Sequence, residues 1–220
     1  MPADDLFARR FTALPVMVIL RGHDPATTVR LCRDARALGV ELIEVPWHGE
    51  ESAPSLAAAV EWAREEPGAC VGAGTVTTLD ALDAVRGLGA GFTVAPGFDA
   101  RVAQASVGHG LPHLPGVATG TEVGAALAAG FHWQKVFPAS VLTPAWITAL
   151  RAPFPGVRFV ATGGVDAGNA AAFLGAGARA VSFGSSFTAE AVLAVRPAPP
   201  PALPGSASQA GPSAGCGRGR

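Results

Sequence analysis

The residue that first points to chemistry is Lys135, the one lysine in a chain that carries fifteen arginines. Because the sequence uses arginine for nearly every cationic side chain, a lysine at this position indicates a chemical role that arginine cannot perform. Burial disfavours the ammonium form of lysine, and the neutral amine attacks ketones to form a Schiff base. The neighbouring residues in the run 133–137 are mainly apolar, which favours a buried nucleophile over a chance lysine on a solvated face.

Two further charged residues end or interrupt apolar runs and are candidates for the same site. Glu44 is the one carboxylate in the run 42–47. An unpaired buried carboxylate is costly, which favours a role beside Lys135 over a structural ion pair. Arg21 ends the first apolar run, and its planar guanidinium suits a substrate carboxylate. A salt bridge at the rim of the fold explains Arg21 equally well from the pattern alone.

Small residues follow other apolar runs and predict room for a ligand. Thr75 supplies a hydroxyl beside Gly72 and Gly74 at the end of the third run. After the last two runs come the pairs 163–164 and 184–185, which consist of Gly163, Gly164, Gly184 and Ser185. Glycines expose backbone N–H groups, and helix N-termini follow them, an arrangement that binds phosphate. Tight turns use glycine as well, but two such pairs at neighbouring positions favour the phosphate site.

The elements that position these residues alternate regularly along the chain. Apolar, β-rich runs predict strands at 16–20, 42–45, 70–76, 92–95, 111–114, 133–137, 158–161 and 180–183. Ala- and Leu-rich stretches predict helices near 25–38, 53–65, 79–88, 100–108, 122–129, 144–150 and 167–174. Glycine follows several of these helices and an apolar strand begins almost at once, as in units that build a parallel sheet.

Eight strand–helix units predict an α/β fold, a (β/α)8 TIM barrel in a single domain. Alternate strand residues of such a barrel point inward, and its chemistry lies at the C-terminal ends of the strands. This arrangement brings Arg21, Glu44 and Lys135 from the first, second and sixth strands to one end of the barrel. A doubly wound open sheet is the alternative, disfavoured because no GxGxxG motif follows the first strand.

Changes in composition define the expected boundaries. We expect an N-terminal lead-in over residues 1–10 and the barrel domain over 11–195. The Pro/Gly/Ser-rich segment that follows predicts a disordered tail over 196–220. Only about residues 188–195 remain to cover the last strand, so we expect a truncated eighth helix.

Overall composition excludes several classes of function. A net charge of −1 gives no field for attracting nucleic acid or a membrane surface. Three cysteines without CxxC or zinc-ligand spacing favour a reducing compartment. The Arg9-Arg10 pair precedes an apolar stretch, as in twin-arginine export signals, but Pro15 interrupts the stretch and no cleavage site follows. We therefore expect a cytoplasmic protein with a small-molecule substrate and no metal.

Together the motifs resemble the 2-keto-3-deoxy-6-phosphogluconate/4-hydroxy-2-oxoglutarate (KDPG/KHG) aldolase family over about residues 10–187. The matching segments are ILRG at 19–22, IEVP at 43–46, GAGTV at 72–76, PG at 115–116, KVFPA at 135–139, GG at 163–164 and GS at 184–185. The KVFPA and GAGTV segments, in this order and spacing, are the most specific.

The resemblance implies a class I (Schiff-base) aldolase that yields pyruvate and glyceraldehyde 3-phosphate. It implies that Lys135 forms the imine, that Glu44 is the general acid/base and that Thr75 contacts the keto-acid end of the substrate. It places the phosphate at the two small-residue pairs, Gly163, Gly164, Gly184 and Ser185. Members of the family use no metal or other cofactor and usually form homotrimers, so we expect a homotrimer here.

Two branches of the family differ in how they hold the substrate carboxylate. The phosphogluconate branch carries an arginine four residues after the glutamate, where this chain has His48. The phosphogalactonate branch has Ile-Leu-Arg-Gly in its first strand, as here, with the arginine Arg21. The resemblance therefore favours 2-keto-3-deoxy-6-phosphogalactonate as substrate, with Arg21 at the carboxylate and His48 as a rim residue.

Other interpretations stay open from the sequence alone. The same barrel is compatible with a phosphosugar isomerase or epimerase in which Glu44 is the base and Lys135 acts only through its charge. It is also compatible with a non-catalytic phosphosugar-binding protein. Within the aldolase interpretation, the C4 stereochemistry of the substrate, its phosphorylation and the effect of a short eighth helix on trimer formation are open as well.

Overall fold

Nine parallel strands form one sheet within residues 3–196, the part of the chain that the computed structural model describes. The strands are β1 (Val16–Ile19), β2 (Leu42–Pro46), β3 (Cys70–Gly74), β4 (Thr93–Val94), β5 (His113–Leu114), β6 (Gly116–Val117), β7 (Trp133–Val136), β8 (Arg158–Thr162) and β9 (Ala180–Phe183). Their order in the sheet is β5-β4-β3-β2-β1-β9-β8-β7-β6. The first and last strands of this order, β5 and β6, are consecutive in the sequence.

Pro115 separates β5 from β6 and explains why eight predicted strands become nine. Proline has no N–H to donate to a neighbouring strand, so the ladder is interrupted there. Its carbonyl still accepts a hydrogen bond of 2.8 Å from the Lys135 N–H. Because β5 pairs with β4 and β6 pairs with β7, this interrupted strand closes the sheet. The predicted TIM barrel is therefore confirmed, with a fifth strand shifted toward the C-terminus from the predicted 111–114.

Helices follow the strands in the predicted alternation and cover the outside of the barrel, and one additional helix precedes the first strand. They are α1 (Ala3–Ala13), α2 (Pro25–Ala37), α3 (Ala53–Glu65), α4 (Leu79–Gly87), α5 (Ala100–Gly108), α6 (Gly120–Ala128), α7 (Ala139–Arg151), α8 (Ala170–Gly175) and α9 (Ala189–Ala194), with a 3-10 turn at Glu50–Ser52. The six residues of α9 agree with the expected truncation of the eighth helix. The tail predicted for 196–220 lies, apart from Arg196, outside the described residues. Within residues 3–196 no helix is long and apolar enough to cross a bilayer.

Helix α1 occupies the segment for which the sequence analysis expected only a lead-in. Its apolar side chains Leu6, Phe7 and Phe11 are buried against the inside of the barrel. Arg10 anchors the helix through an ion pair of 2.8 Å with Glu41, just before β2. The helix therefore lies across the N-terminal mouth of the barrel.

The buried apolar residues form two separate hydrophobic cores. The larger one lies between the outer faces of the strands and the covering helices and contains, for example, Phe159 of β8 and Phe173 of α8. The smaller one fills the N-terminal part of the barrel, and we call it the floor cluster. The floor cluster consists of Leu6, Phe7, Phe11, Met17, Leu42, Phe92, Val94, Leu114, Trp133, Val160 and Ala180.

Helix α7 contains a strained residue, Thr143, with φ 66° and ψ 163°. This backbone region is accessible essentially to glycine alone, and a side chain there costs of order 1–3 kcal/mol. Thr143 is exposed, so its side chain gains little from packing. We expect Thr143→Gly to raise the free energy of unfolding by about 1 kcal/mol, or the melting temperature by about 2–4 °C.

The matched control is Thr148→Gly, an exposed position in the regular part of the same helix. Glycine there increases the entropy lost on folding and removes a long hydrogen bond, 3.4 Å, from the Thr148 hydroxyl to the Pro144 carbonyl, so it should lower the stability by roughly 0.3 kcal/mol or more. Thermal unfolding of both variants gives the sign directly. Equal destabilisation by the two substitutions would show that Thr143 is not strained.

Candidate active site

A cavity of about 720 Å³ opens at the C-terminal ends of β1, β7, β8 and β9, where catalytic sites of barrels lie. Its wall comprises Ile19, Leu20, Arg21, His23, Leu31, Lys135, Phe137, Thr162, Gly163, Gly164, Val165, Asp166, Gly184, Ser185, Ser186 and Phe187. The cavity therefore contains Lys135 and Arg21 as predicted, together with all four residues of the predicted phosphate end.

Lys135 lines this cavity, and Glu44 lies next to Lys135 without itself contributing to the cavity wall. Lys135 points inward from β7 and is 4 % exposed, and Glu44 points inward from β2 and is 1 % exposed. The Lys135 Nζ lies 3.7 Å from Glu44 Oε1. Glu44 Oε2 has no hydrogen-bond partner among the described residues. An amine and a carboxylate are thus held next to each other, and one carboxylate oxygen is unpaired.

Burial lowers the pKa of Lys135 below the usual value of 10.5, because desolvation disfavours the ammonium form. The negative charge of Glu44 opposes this shift, and the positive charge of Arg21 adds to it. The desolvation effect is the largest of the three. The neutral amine of Lys135 is therefore present at a lower pH than the neutral amine of a lysine in water.

Gly74 explains why small residues end β3. A Cβ atom at this position would lie 1.9 Å from Glu44 Oε1, far closer than any real contact. Any other residue would displace the Glu44 carboxylate from its place beside Lys135. The small residues that the sequence analysis interpreted as leaving space thus leave it for this carboxylate.

The glycine pair after β8 forms part of the cavity wall. Gly163 and Gly164 both have positive φ, at 92° and 73°, and a Cβ on Gly164 would lie 2.5 Å from the Cβ of Ser140. The Gly164 carbonyl accepts a hydrogen bond of 2.9 Å from the Asn169 side chain. These contacts fix a loop whose backbone conformation favours glycine, and this loop lines the same cavity as Ser185.

Besides Glu44, two further predicted residues, Thr75 and His48, lie outside the cavity wall. Thr75 follows β3 with φ 59° and is half-buried, and it does not contribute to the cavity that holds Lys135. His48 is exposed and lines a separate cavity of about 310 Å³ between the loops that follow β1 and β2. His23 lines both cavities. The place of His48 at the rim agrees with the expectation from the sequence.

Several residues of the cavity wall were not predicted from the sequence. Thr162 is 1 % exposed, and its hydroxyl donates a hydrogen bond of 3.1 Å to the hydroxyl of Ser182. Strand alternation from the inward residue Val160 could have identified Thr162. His23 and Asp166 lie in loops, where no periodicity indicates which side chains face a cavity. Within residues 3–196, no group of three or more His, Cys, Asp or Glu residues is placed to hold a metal ion.

Comparison with known proteins adds independent evidence. Residues 8–196 match the family described as KDPG and KHG aldolase. The 2-dehydro-3-deoxy-phosphogluconate aldolase of Treponema pallidum is 36% identical to this chain, over 75% of this chain and 76% of its own length. The 2-dehydro-3-deoxy-6-phosphogalactonate aldolase of Escherichia coli is 34% identical, over 79% of this chain and 84% of its own length.

A solved structure supports the same relationship. It is the KDPG aldolase of Legionella pneumophila with pyruvate captured at low pH as a covalent carbinolamine intermediate. It is 28% identical to this chain, with a TM-score of 0.73, over 80% of this chain and 84% of that chain. The family match extends over nearly all of the described residues, and the relatives are similar over most of their own lengths. This chain therefore belongs to the KDPG and KHG aldolase family.

Proposed function

We propose that this protein is a class I aldolase that cleaves a 2-keto-3-deoxy-6-phospho sugar acid to pyruvate and glyceraldehyde 3-phosphate. The observation that carries the proposal is the buried Lys135 amine, which lines an open cavity and lies 3.7 Å from the Glu44 carboxylate. A desolvated lysine beside one carboxylate supplies both the nucleophile and the proton carrier of this reaction. Membership in an aldolase family supports the same reaction.

In the first stage, Lys135 forms a covalent bond to the substrate. The neutral amine attacks the C2 ketone to give a carbinolamine, and loss of water leaves a cationic imine. The imine withdraws electrons from the C3–C4 bond. Glu44 then removes the proton of the C4 hydroxyl, the C3–C4 bond breaks, and its electron pair moves onto C3 to form an enamine. Glyceraldehyde 3-phosphate leaves as the first product.

In the second stage, the enamine is converted to pyruvate. Glu44, protonated in the cleavage step, returns the proton to C3 and forms the imine of pyruvate. Water then hydrolyses this imine, which restores the Lys135 amine and releases pyruvate. One carboxylate serves both steps because the first protonates it and the second deprotonates it.

The two ends of the substrate are assigned to opposite parts of the cavity. Arg21 is placed at the substrate carboxylate, since it lines the cavity wall and its charge acts on Lys135. The phosphate is placed at the glycine-rich wall formed by Gly163, Gly164, Gly184 and Ser185. Thr75 is retained as a proposed contact to the keto-acid end on the resemblance to the family alone, because it does not line the cavity. We favour the galactonate series, with the gluconate series as the alternative.

The experiment that tests this function is a coupled assay for pyruvate release. The purified protein is supplied with 2-keto-3-deoxy-6-phosphogalactonate and with its gluconate epimer, in the presence and absence of a metal chelator. We expect release from both that does not depend on the chelator, with a higher kcat/KM for the galactonate epimer. Release from neither would contradict the function, and a higher value for the gluconate would reverse the assignment of the series.

Arg21→Ala should raise the KM for the keto acid more than it lowers kcat. A guanidinium–carboxylate pair is present in both ground and transition states, so its loss mainly weakens uniform binding. Charge-assisted hydrogen bonds contribute about 1.5–3 kcal/mol, which corresponds to about 10- to 150-fold in kcat/KM. Steady-state kinetics of the variant measure both constants.

His48→Ala is the matched control, because His48 lies at the position where the other branch carries its arginine. We expect near wild-type kinetics for this variant, since the imidazole lies outside the cavity that contains Lys135. A large KM effect in His48→Ala with a small one in Arg21→Ala would place the carboxylate at the loop after β2 instead.

The proposal includes a homotrimer in the cytoplasm. The trimer is supported by the resemblance to the aldolase family, and the compartment by three cysteines without disulfide or zinc spacing. Sedimentation velocity at several protein concentrations tests the assembly. A mass of one chain at all concentrations would exclude the trimer.

A further inference from the structure

Aromatic side chains from helix α1 lie directly beneath the candidate active site. The ring centroid of Phe11 is 5.2 Å from that of Trp133, and the centroid of Phe7 is 6.4 Å from Trp133. Phe7 also contacts Phe92 edge-on, at 5.8 Å and 82°. These four rings form one continuous layer inside the N-terminal part of the barrel.

Trp133 connects this layer to the reactive lysine. It lies two residues before Lys135 on β7, and residues two apart in a strand point to the same face. Phe7, Phe11 and Trp133 are 0 %, 5 % and 5 % exposed, so the layer is closed to water from below. Lys135 is therefore the next inward-facing residue of β7 above the aromatic layer, and its amine lies 5.1 Å from the ring centroid of Phe137 in the cavity wall.

Polar contacts hold α1 over the mouth of the barrel. Arg10 Nη1 lies 2.8 Å from Glu41 Oε2, and it also donates a hydrogen bond to the Gly68 carbonyl. Glu41 precedes β2 and Gly68 precedes β3, both at the N-terminal edge of the sheet. The helix is thus fixed to the strands at the end opposite to the cavity.

Burial and charge act together on the Lys135 amine. The charged or titratable groups around it are Glu44 from β2, Arg21 and His23 from the loop after β1, and Asp166 from the loop after β8. Arg158 lies on the far side of Trp133, with its guanidinium 5.6 Å from the indole ring. Desolvation is the largest influence on the amine, and the aromatic layer covers the side of the barrel interior that lies below Lys135.

We propose that α1 is a positioning element of the active site, whose Phe7 and Phe11 support Trp133 and keep water from reaching Lys135 through the barrel floor. The inference rests on the proposed role of Lys135 as the imine-forming residue. It assigns a catalytic consequence to a helix that contributes no residue to the wall of the cavity. A helix that only stabilised the barrel would lower the melting temperature without changing the protonation of Lys135.

The test is the pH dependence of an imine-dependent half-reaction, the exchange of pyruvate methyl protons for deuterium, followed by NMR. In the wild type, the exchange rate should rise with pH to a midpoint set by Lys135. In Phe11→Ala, water entering the floor favours the ammonium form and raises the pKa of Lys135. We expect the midpoint to move up by about one pH unit, which lowers the rate at neutral pH about 10-fold.

Phe173→Ala is the matched control. Phe173 is 2 % exposed and belongs to the outer core, so its truncation leaves a cavity of similar size away from the floor. Truncating a buried phenylalanine costs about 3–5 kcal/mol, so Phe11→Leu and Phe173→Leu serve as a milder pair that preserves the fold. We expect an upward shift of the midpoint in the Phe11 variants alone, with similar losses of thermal stability within each pair.

Two results would overturn the proposal. One is that folded Phe11 variants still form the pyruvate imine but show the same midpoint pH as the wild type. This result would leave the proposed function intact. The other is an equal shift in the Phe173 variants, which would trace the effect to general loosening of the protein. Absence of exchange in the wild type would remove the proposed function together with this inference.

Discussion

Lys135→Arg should abolish turnover while the protein stays folded. Arginine keeps the positive charge next to Glu44 but remains protonated, so it cannot attack a ketone. Covalent catalysis is the main route through this site, and we expect kcat to fall by about 10³-fold or more. Pyruvate release in the coupled assay measures the loss.

A folded variant is essential for this result, because Lys135 is buried and arginine is larger. Lys135→Met, which is neutral and of similar length, serves as the second variant, and both are compared with the wild type by thermal unfolding. Retention of even about a tenth of wild-type activity in either folded variant would rule out the Schiff-base mechanism, since a tenth corresponds to only about 1.4 kcal/mol of barrier.

Glu44→Gln should separate imine formation from the proton transfers that follow. Glutamine has nearly the same shape but cannot accept a proton from the C4 hydroxyl or deliver one to C3. General acid–base catalysis contributes typically about 10²- to 10⁴-fold, and we expect a loss of kcat in this range. The Lys135 amine stays available, because removal of the neighbouring negative charge lowers its pKa further.

Three measurements on the variant distinguish this role from a structural one. Cleavage and deuterium exchange into pyruvate should fall together, because both use the same carboxylate, whereas reductive trapping of the pyruvate imine should persist. Glu44→Asp keeps the acid with a shorter side chain and should recover part of the activity. Loss of trapping in folded Glu44→Gln would instead assign Glu44 to the formation of the imine.

The barrel could be predicted from the sequence because its local signals agree with one another. The regular exchange of apolar runs and Ala-rich stretches, and the glycine after helices such as α6, indicate parallel strands with short connections. The fifth strand was placed too early, since Pro115 ended the predicted run, although the chain continues the strand beyond it through Gly116 and Val117.

Helix α1 could not be recognised by the same means. Leu6, Phe7 and Phe11 are few and are flanked by Arg9 and Arg10, so the segment has the composition of a polar lead-in. The partner of its apolar side chains is the inside of the barrel, which exists only after strands from the whole chain have assembled. The apolar residues of the helix are visible in the sequence, but the surface that they contact forms only in the folded barrel.

The candidate site likewise contains some residues that could be predicted from the sequence and others that could not. Lys135, Glu44 and Arg21 lie in or next to strands, where alternation predicts the direction of a side chain, and the structure brings them together. Thr75 also follows a strand, but its positive φ turns the backbone and places it outside the cavity wall. His23 belongs to a loop, and the position of a loop side chain depends on contacts that no local pattern encodes.

Reductive trapping with borohydride and pyruvate tests the central claim most directly, because only an imine is reduced to a stable covalent bond. Lys135 is the one lysine of the chain, so the N-terminal amine is the only other primary amine to consider as the point of attachment. We predict that treatment with both reagents inactivates the protein and that the peptide containing Lys135 gains the mass of pyruvic acid less one oxygen atom. Borohydride without pyruvate should leave the protein active and unmodified. An active aldolase with no adduct on Lys135 after this treatment would contradict the account.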